Sequence, residues 1–373
     1  MRWLRWVLCL LVVRLASPWW VGREASGWYE GEARVERALA DELVAFELGD
    51  DATRAKAENQ FAGEWALVTH QMIALGLAQV CLQHPEYKDQ YAKVVTKAAL
   101  KSWAPEMRDF GTRAWRGEDA LASLDGPHGH AYFAYPALAV GMARLLDPEF
   151  PPAIAVRHDA LVAAYERRML ASPTGLIETY PNQAFPTDVA AVAAAIAVHG
   201  RATGVDHARV LQHWAARVRE LQIDKKSGFV WQRMGAWRGE PKDAPRGSGT
   251  GLAAYFAGFA DRALAEELGT ALFAHESSFF GFSAIREYAE GFKGRGDNDS
   301  GPVILGVSVA ATGFTLAPAR AFGRREVFER VFRTTALFGV PVGHGDRVRF
   351  ATGGPIGNAL LLAMLTSGPE LAK

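Results

Sequence analysis

Apolar and polar positions along the chain form long blocks of helical period, and the blocks come in couples. Residues 30–48 (EGEARVERALADELVAFEL) place Val35, Leu39, Leu43, Val44 and Leu48 at helical spacing, which predicts an amphipathic helix. Residues 64–82 are apolar on nearly all sides, whereas residues 87–103 carry lysines on one face. The first block predicts an inner helix and the second an outer one. The couple returns at 131–146 with 153–170, at 188–203 with 207–221, at 251–259 with 261–273, and at 301–317 with 324–337. A last apolar block, 356–365, has no outer mate after it.

The inner blocks begin 50 to 67 residues apart, a repeat of architecture without a visible repeat of sequence. If the 30–48 helix serves as outer mate to the last block, the count closes at six inner and six outer helices. The pattern therefore predicts an all-α fold, an (α/α)6 toroid. Short links join inner to outer helices. The longer links to the next inner helix are rich in Gly, Pro and short β-like runs such as SGFVWQRM and SFFGFSAIREY. These links place short β-like hairpins in the loops at one end of the ring, its mouth. An open solenoid and two separate bundles are the competing arrangements, but an open array needs polar caps and gives no reason for a six-fold count.

Residues 1–25 fall outside this pattern, and residues 26–373 read as a single toroid domain. The leader has a basic start at Arg2 and Arg5 and an apolar run over residues 6–13, interrupted by Arg14, with no clean small-x-small cleavage site. It predicts an export signal or a retained anchor. The expectation is an exported or membrane-anchored protein, with membrane association through residues 1–21.

Lys and Arg together number 41, as do Asp and Glu, so the chain has no net basic field for nucleic acid. Only Cys9 and Cys81 are present, and with Cys9 in the leader no disulfide or thiolate cluster can form in the domain. Eleven Trp and 20 Phe, several in loops, suit a lined cleft. No P-loop, Rossmann fingerprint or G-x-S-x-G elbow occurs, so no nucleotide or other cofactor is expected.

In a toroid the inner helices point their N-termini into one funnel, so polar residues at those ends are the site candidates. Glu58, Asn59 and Glu64 belong to the first helix, and His128, His130 and Tyr132 to the second. Glu178, Tyr180, Asn182 and Asp188 belong to the third, and Trp231, Arg233, Arg246 and Ser248 to the fourth. Arg286, Glu287, Tyr288, Asp297, Asp299 and Ser300 belong to the fifth, and Arg349, Thr352 and Asn358 to the sixth. Plainer roles compete: Ser248 and Ser300 read as helix caps, Asp188 and Asp299 can cap as well, Asp297 can shape its DNDSGP turn, and Glu287 can pair with Arg286. His128-Gly129-His130 resembles a metal pair, but no cysteine completes a mixed site and no metal is expected. His70 and His199 lie within apolar helices and read as satisfied core residues. The chemistry on offer is acid/base work: a carboxyl half-buried among Trp231, Tyr180 and Tyr288 would hold its proton near neutral pH, and a second carboxylate or a histidine could accept one.

Three segments, TYPNQAFPTDVAAVAAAIAVHGRATG, PRGSGTGLAAYFAGFAD and REYAEGFKGRGDNDSGPVILGVSVAATGF, resemble the linalool dehydratase-isomerase-like domain family. The resemblance implies an α/α toroid and metal-free dehydration and isomerisation of a small terpene alcohol by an exported homo-oligomer. It also implies a cysteine pair, a histidine, a tyrosine and an aspartate in the cleft. Here Thr179 and Asp188 stand where the cysteines are expected, and His128 or His130 would match the histidine. The expected protein is thus a metal-independent lyase or isomerase acting on a small organic or terpenoid-like alcohol. Asp188, Asp299, His128, His130 and Tyr180 would be catalytic. Glu178, Asn182, Trp231, Arg246, Arg286, Glu287, Tyr288 and Asp297 would bind substrate. The alternatives are a carbohydrate-active toroid enzyme, using paired acids and Trp platforms on a glycan, and a non-catalytic envelope-associated scaffold.

Overall fold

The computed structural model describes Trp3, Trp6 and residues 16–49 and 60–368. Most of the predicted leader, and the candidates Glu58 and Asn59, lie outside the described residues. The rest forms the ring that the hydrophobic pattern predicts. Its inner helices are Gln60–Gln83, Ala134–Leu146, Pro186–Thr203, Gly247–Ala260, the broken pair Val309–Phe314 and Leu316–Ala321, and Gly354–Leu365. Each contacts the next, and Gly354–Leu365 returns to Gln60–Gln83. Outside them lie Ala33–Leu48, Lys88–Trp103, Pro152–Ala171, Ala208–Arg217, Arg262–Ala274 and Arg325–Gly339. Ala33–Leu48 packs between the last and the first inner helices, as the six-fold count requires.

Small residues let the inner helices approach. A Cβ added to Gly76 would lie 2.7 Å from Leu362 Cγ, one on Gly141 2.9 Å from Val198 Cγ1, and one on Gly251 2.8 Å from Phe314 Cβ. Gly76→Ala is therefore expected to destabilise the protein by about 1–3 kcal/mol in urea unfolding, reversing the gain that Ala normally brings to a helix interior. Polar groups seal the seam between first and last inner helices. Gln79 Nε2 donates to Ala363 O and Thr366 Oγ1, each at 2.8 Å. The buried Arg320 guanidinium donates to Leu365 O, to Glu36 Oε1 at 2.8 Å and to Gln83 Oε1 at 2.8 Å.

Two elements differ from the pattern. The block 301–317 is not one helix: Val303–Ile304 and Val307–Ser308 form a hairpin, and Ser308 caps the helix that follows by accepting from Ala311 N. Leu305 and Gly306, at φ of 52° and 86°, make its turn, which the flanking β-branched residues favour over helix. The amphipathic helix Pro105–Ala114 is an addition. Two further hairpins, Glu276–Phe279 with Phe282–Ile285 and Pro341–His344 with Arg347–Phe350, lie in links entering the fifth and sixth inner helices.

Candidate functional site

Three inner-helix entrances bring Glu64, Asp188 and Asp299 into one electrostatic cluster at the mouth. Asp188 sits in the first turn of Pro186–Thr203 but does not cap it. Its two oxygens instead accept the hydroxyls of Tyr135 at 2.9 Å and Thr179 at 2.7 Å. Burial raises its pKa to about 6 against those two hydrogen bonds, and the Asp299 charge adds to the rise. Glu64, one turn into Gln60–Gln83, accepts the Tyr180 hydroxyl at 2.8 Å. Burial carries its pKa to about 7, with the charges of Asp188 and Asp299 acting in the same direction. Asp299, on its loop, is hydrogen-bonded by Trp65; desolvation of its carboxyl and the neighbouring Asp297 raise its pKa.

Asp297 has a different role. It accepts the backbone N–H groups of Asp299 and Ser300 at 3.1 and 2.9 Å, closing the turn that presents Asp299. Arg246 donates to it through both terminal nitrogens. Burial acts upward on the Asp297 pKa, but Arg246 and Ser300 hold it below the usual carboxylate range. Arg246 also donates from Nε to the fully buried Glu287 at 2.6 Å, so the partner of Glu287 is Arg246 and not the adjacent, exposed Arg286. Ser248 and Ser308 hydroxyls complete the Glu287 shell at 2.6 and 2.5 Å. Ser248 thus serves Glu287 rather than capping a helix. Ser300 likewise caps none and accepts Asp297 N at 2.9 Å.

Aromatic rings wall the cluster. Tyr132 stacks on Tyr180 with centroids 5.9 Å apart, Trp231 meets Phe292 edge-on at 5.9 Å, and the Arg246 guanidinium lies over Tyr288 at 5.5 Å. Trp65 and Phe292 remain exposed. The other candidates lie apart. Glu178 receives Asn182 N at 3.0 Å, which closes the turn where Asn182 takes a φ of 61°, and lines a separate groove with Arg168, Leu176 and Trp237. His128 and His130 face Glu118, with Trp115 packed at a tilt against both rings. Asn358 ties both backbone groups of Phe350 and does no work at the mouth. His70 is buried against Glu47 at 2.6 Å, and His199 contacts His207 and Asp159.

Tyr135, Thr179 and Trp65 contact the clustered carboxyl groups, and the pattern alone did not single them out. An acid in the first turns of the otherwise apolar helix Gln60–Gln83 was the available signal for giving Glu64 more weight.

An (α/α)6 toroid with carboxyl groups gathered at its mouth is the class this fold and site define. No protein-family model matches the chain. No characterised protein matches it by sequence. Solved structures do. The unsaturated glucuronyl hydrolase of Bacillus sp. GL1, described as responsible for glycosaminoglycan degradation, is 12% identical with a TM-score of 0.50, over 80% of this chain and 85% of that one. A family 105 glycoside hydrolase of C. acetobutylicum ATCC 824 is 11% identical with a TM-score of 0.52, over 89% of this chain and 98% of that one.

These findings overturn the resemblance to the linalool dehydratase-isomerase-like family: the similar structures are glycoside-hydrolase toroids. The segments that carried the resemblance are small-residue inner helices and polar entrances, which ring packing itself demands. Among the described residues the one thiol, Cys81, is buried in a helix, and burial pushes its pKa up to about 12. The terpenoid alcohol and the homo-oligomer rested on that resemblance alone.

Proposed function

We propose that the protein is a carbohydrate-active enzyme that cleaves a glycan by acid/base catalysis at the toroid mouth. The observation that carries this reading is the set of three carboxyl groups, Glu64, Asp188 and Asp299, sharing one half-buried cluster with their pKa values raised. Two acids of unequal pKa divide the labour. Glu64, about half protonated at pH 7, donates to the glycosidic oxygen. Asp188, ionised and oriented by Tyr135 and Thr179, accepts a proton from the attacking water. Asp299 keeps the Glu64 proton in place. Trp65 and Phe292 offer apolar faces against which a sugar ring can stack. The kinship in fold with a glucuronyl hydrolase and a family 105 glycoside hydrolase supports the substrate class. The gathering of acids favours an enzyme over a scaffold.

The test is turnover on a panel of unsaturated uronyl, saturated uronyl and neutral oligosaccharides, followed by product analysis. Cleavage of at least one, lost by about 100- to 10,000-fold in Asp188→Asn, is the expected result. An Asp188→Asn protein that cleaves the same oligosaccharide at the wild-type rate would remove Asp188 from the mechanism.

A further inference from the structure

Away from the carboxyl cluster, the loop after Pro105–Ala114 gathers a second set of ligand-type side chains. Glu118 lies between two imidazoles, with His128 Nδ1 2.7 Å from its Oε2 and His130 Nε2 3.1 Å from its Oε1. The three donor atoms all lie within 4.8 Å of one another. In a tetrahedral site with bonds of about 2.0–2.2 Å, ligand atoms stand about 3–3.5 Å apart, so small side-chain movements suffice to enclose an ion.

The loop is held in shape for this. His130 adopts a left-handed backbone, φ 47° and ψ 39°, which is strained for a non-glycine residue and persists only where the surroundings impose it. The imposing groups are on the outer helix Pro152–Ala171. Tyr165 donates to His130 O at 3.0 Å, and Arg168 donates to Ser123 O, Leu124 O, Gly126 O and Gly129 O. The Trp115 indole covers both imidazoles, at 4.9 and 4.5 Å, and donates to Thr179 O at 3.0 Å. His130 is fully buried, whereas the His128 side chain is 44% exposed, which leaves the site an entrance from solvent.

We infer that Glu118, His128 and His130 form a binding site for a first-row divalent transition-metal ion, zinc being the type that this nitrogen and oxygen donor set suits, with water completing the coordination. Two neutral imidazoles and one carboxylate make a three-ligand set of the kind that leaves a position open. Trp115, which covers both imidazoles, is tied to Thr179 O, so the ion would brace the segment that carries Thr179. Buried His130 Nδ1 has no hydrogen-bond partner. Metal-bound histidines usually anchor their second nitrogen, and loss of that anchor weakens affinity by about 10- to 100-fold, so moderate rather than extreme affinity is expected.

The experiment uses the full chain stripped with chelator and titrated with zinc and with cobalt(II), read by calorimetry and by the visible absorption of cobalt. One equivalent per chain is expected, with a cobalt spectrum of nitrogen and oxygen ligation. A rise in melting temperature should accompany it. His128→Ala, at a half-exposed position, should weaken binding by more than about 100-fold, since a ligand counts for more than its anchor. His344→Ala, at an exposed histidine elsewhere, should leave it unchanged. Absence of stoichiometric binding, or binding that survives His128→Ala combined with Glu118→Gln, would show a histidine–carboxylate hydrogen-bond cluster only and overturn the assignment.

Discussion

Glu64→Gln is expected to abolish most turnover and yet to make the protein more stable above pH 7. The two effects have one origin. Folding raises the Glu64 pKa from 4.5 to about 7, so the folded protein binds this proton more tightly than the unfolded chain does. Stability from this group is fully present below about 4.5, declines as pH rises and is lost by about 7, where the carboxylate must ionise in place. A shift of this size corresponds to about 3 kcal/mol. Glutamine has no proton to lose, so the stability difference between variant and wild type should move in the variant's favour by up to that amount between pH 5 and pH 8. Urea unfolding at the two pH values measures it. Wild-type stability that runs parallel to the variant's across this range would mean that Glu64 is ionised throughout and is no proton donor. Turnover supplies the companion measurement. With Asp188 at about 6 as base and Glu64 at about 7 as acid, kcat/KM should follow a narrow bell whose limbs fall near those values. The two groups interact, so the limbs belong to the cluster as a unit. Glu64→Gln should remove the alkaline limb from whatever activity persists.

Arg246→Met should cost about 3–5 kcal/mol, the largest loss of stability expected from a single change at the mouth. Arg246 is buried and ion-paired to both the fully buried Glu287 and Asp297. Its removal strands the Glu287 carboxylate with only two serine hydroxyls and one backbone N–H as partners. It also frees Asp297, whose oxygens hold the turn carrying Asp299, so turnover should fall together with stability. The double variant Arg246→Met/Glu287→Gln separates the two consequences. It removes the stranded charge and should regain much of the stability, but not the turnover, because the Asp297 turn still lacks its cation. Equal instability of single and double variants in urea would show that Arg246 contributes by packing alone.

The ring was legible in the chain because its requirements are local. An inner helix must be apolar on nearly every side, and an outer one on a single face, so VAAVAAAIAVHG and YKDQYAKVVTKAAL declare their layers without help from partners. Closure followed from counting helices. The fifth inner helix was misjudged because Gly301 to Gly306 is small and apolar enough for a buried helix, while its turn geometry shows only in φ. The site was legible in part. Asp188 and Asp299 could be placed at the mouth from their position before inner helices, but the raised pKa of Glu64 depends on burial and on two acids more than 100 residues distant in sequence. Arg246 and Glu287 stand 41 residues apart, and the more obvious neighbour, Arg286, competes for attention in the sequence while facing solvent in the fold. The family resemblance failed for a related reason: segments shaped by ring packing look alike wherever such a ring is built.

The seam at Gln79 and Arg320 governs the order of events during synthesis. Gln79 waits for Ala363 and Thr366, about 280 residues later, and Arg320 joins Glu36 to Leu365 across almost the whole described chain. A solenoid can fold repeat by repeat as it leaves the ribosome, since each unit needs only its neighbour. This ring can assemble in order only up to closure, because the first inner helix, Gln60–Gln83, lacks its last neighbour until Gly354–Leu365 has emerged. Until then the seam face of Gln60–Gln83 is without its partner, and loop-closure entropy slows the final docking. Chaperone demand and aggregation should peak just before the last helix is made.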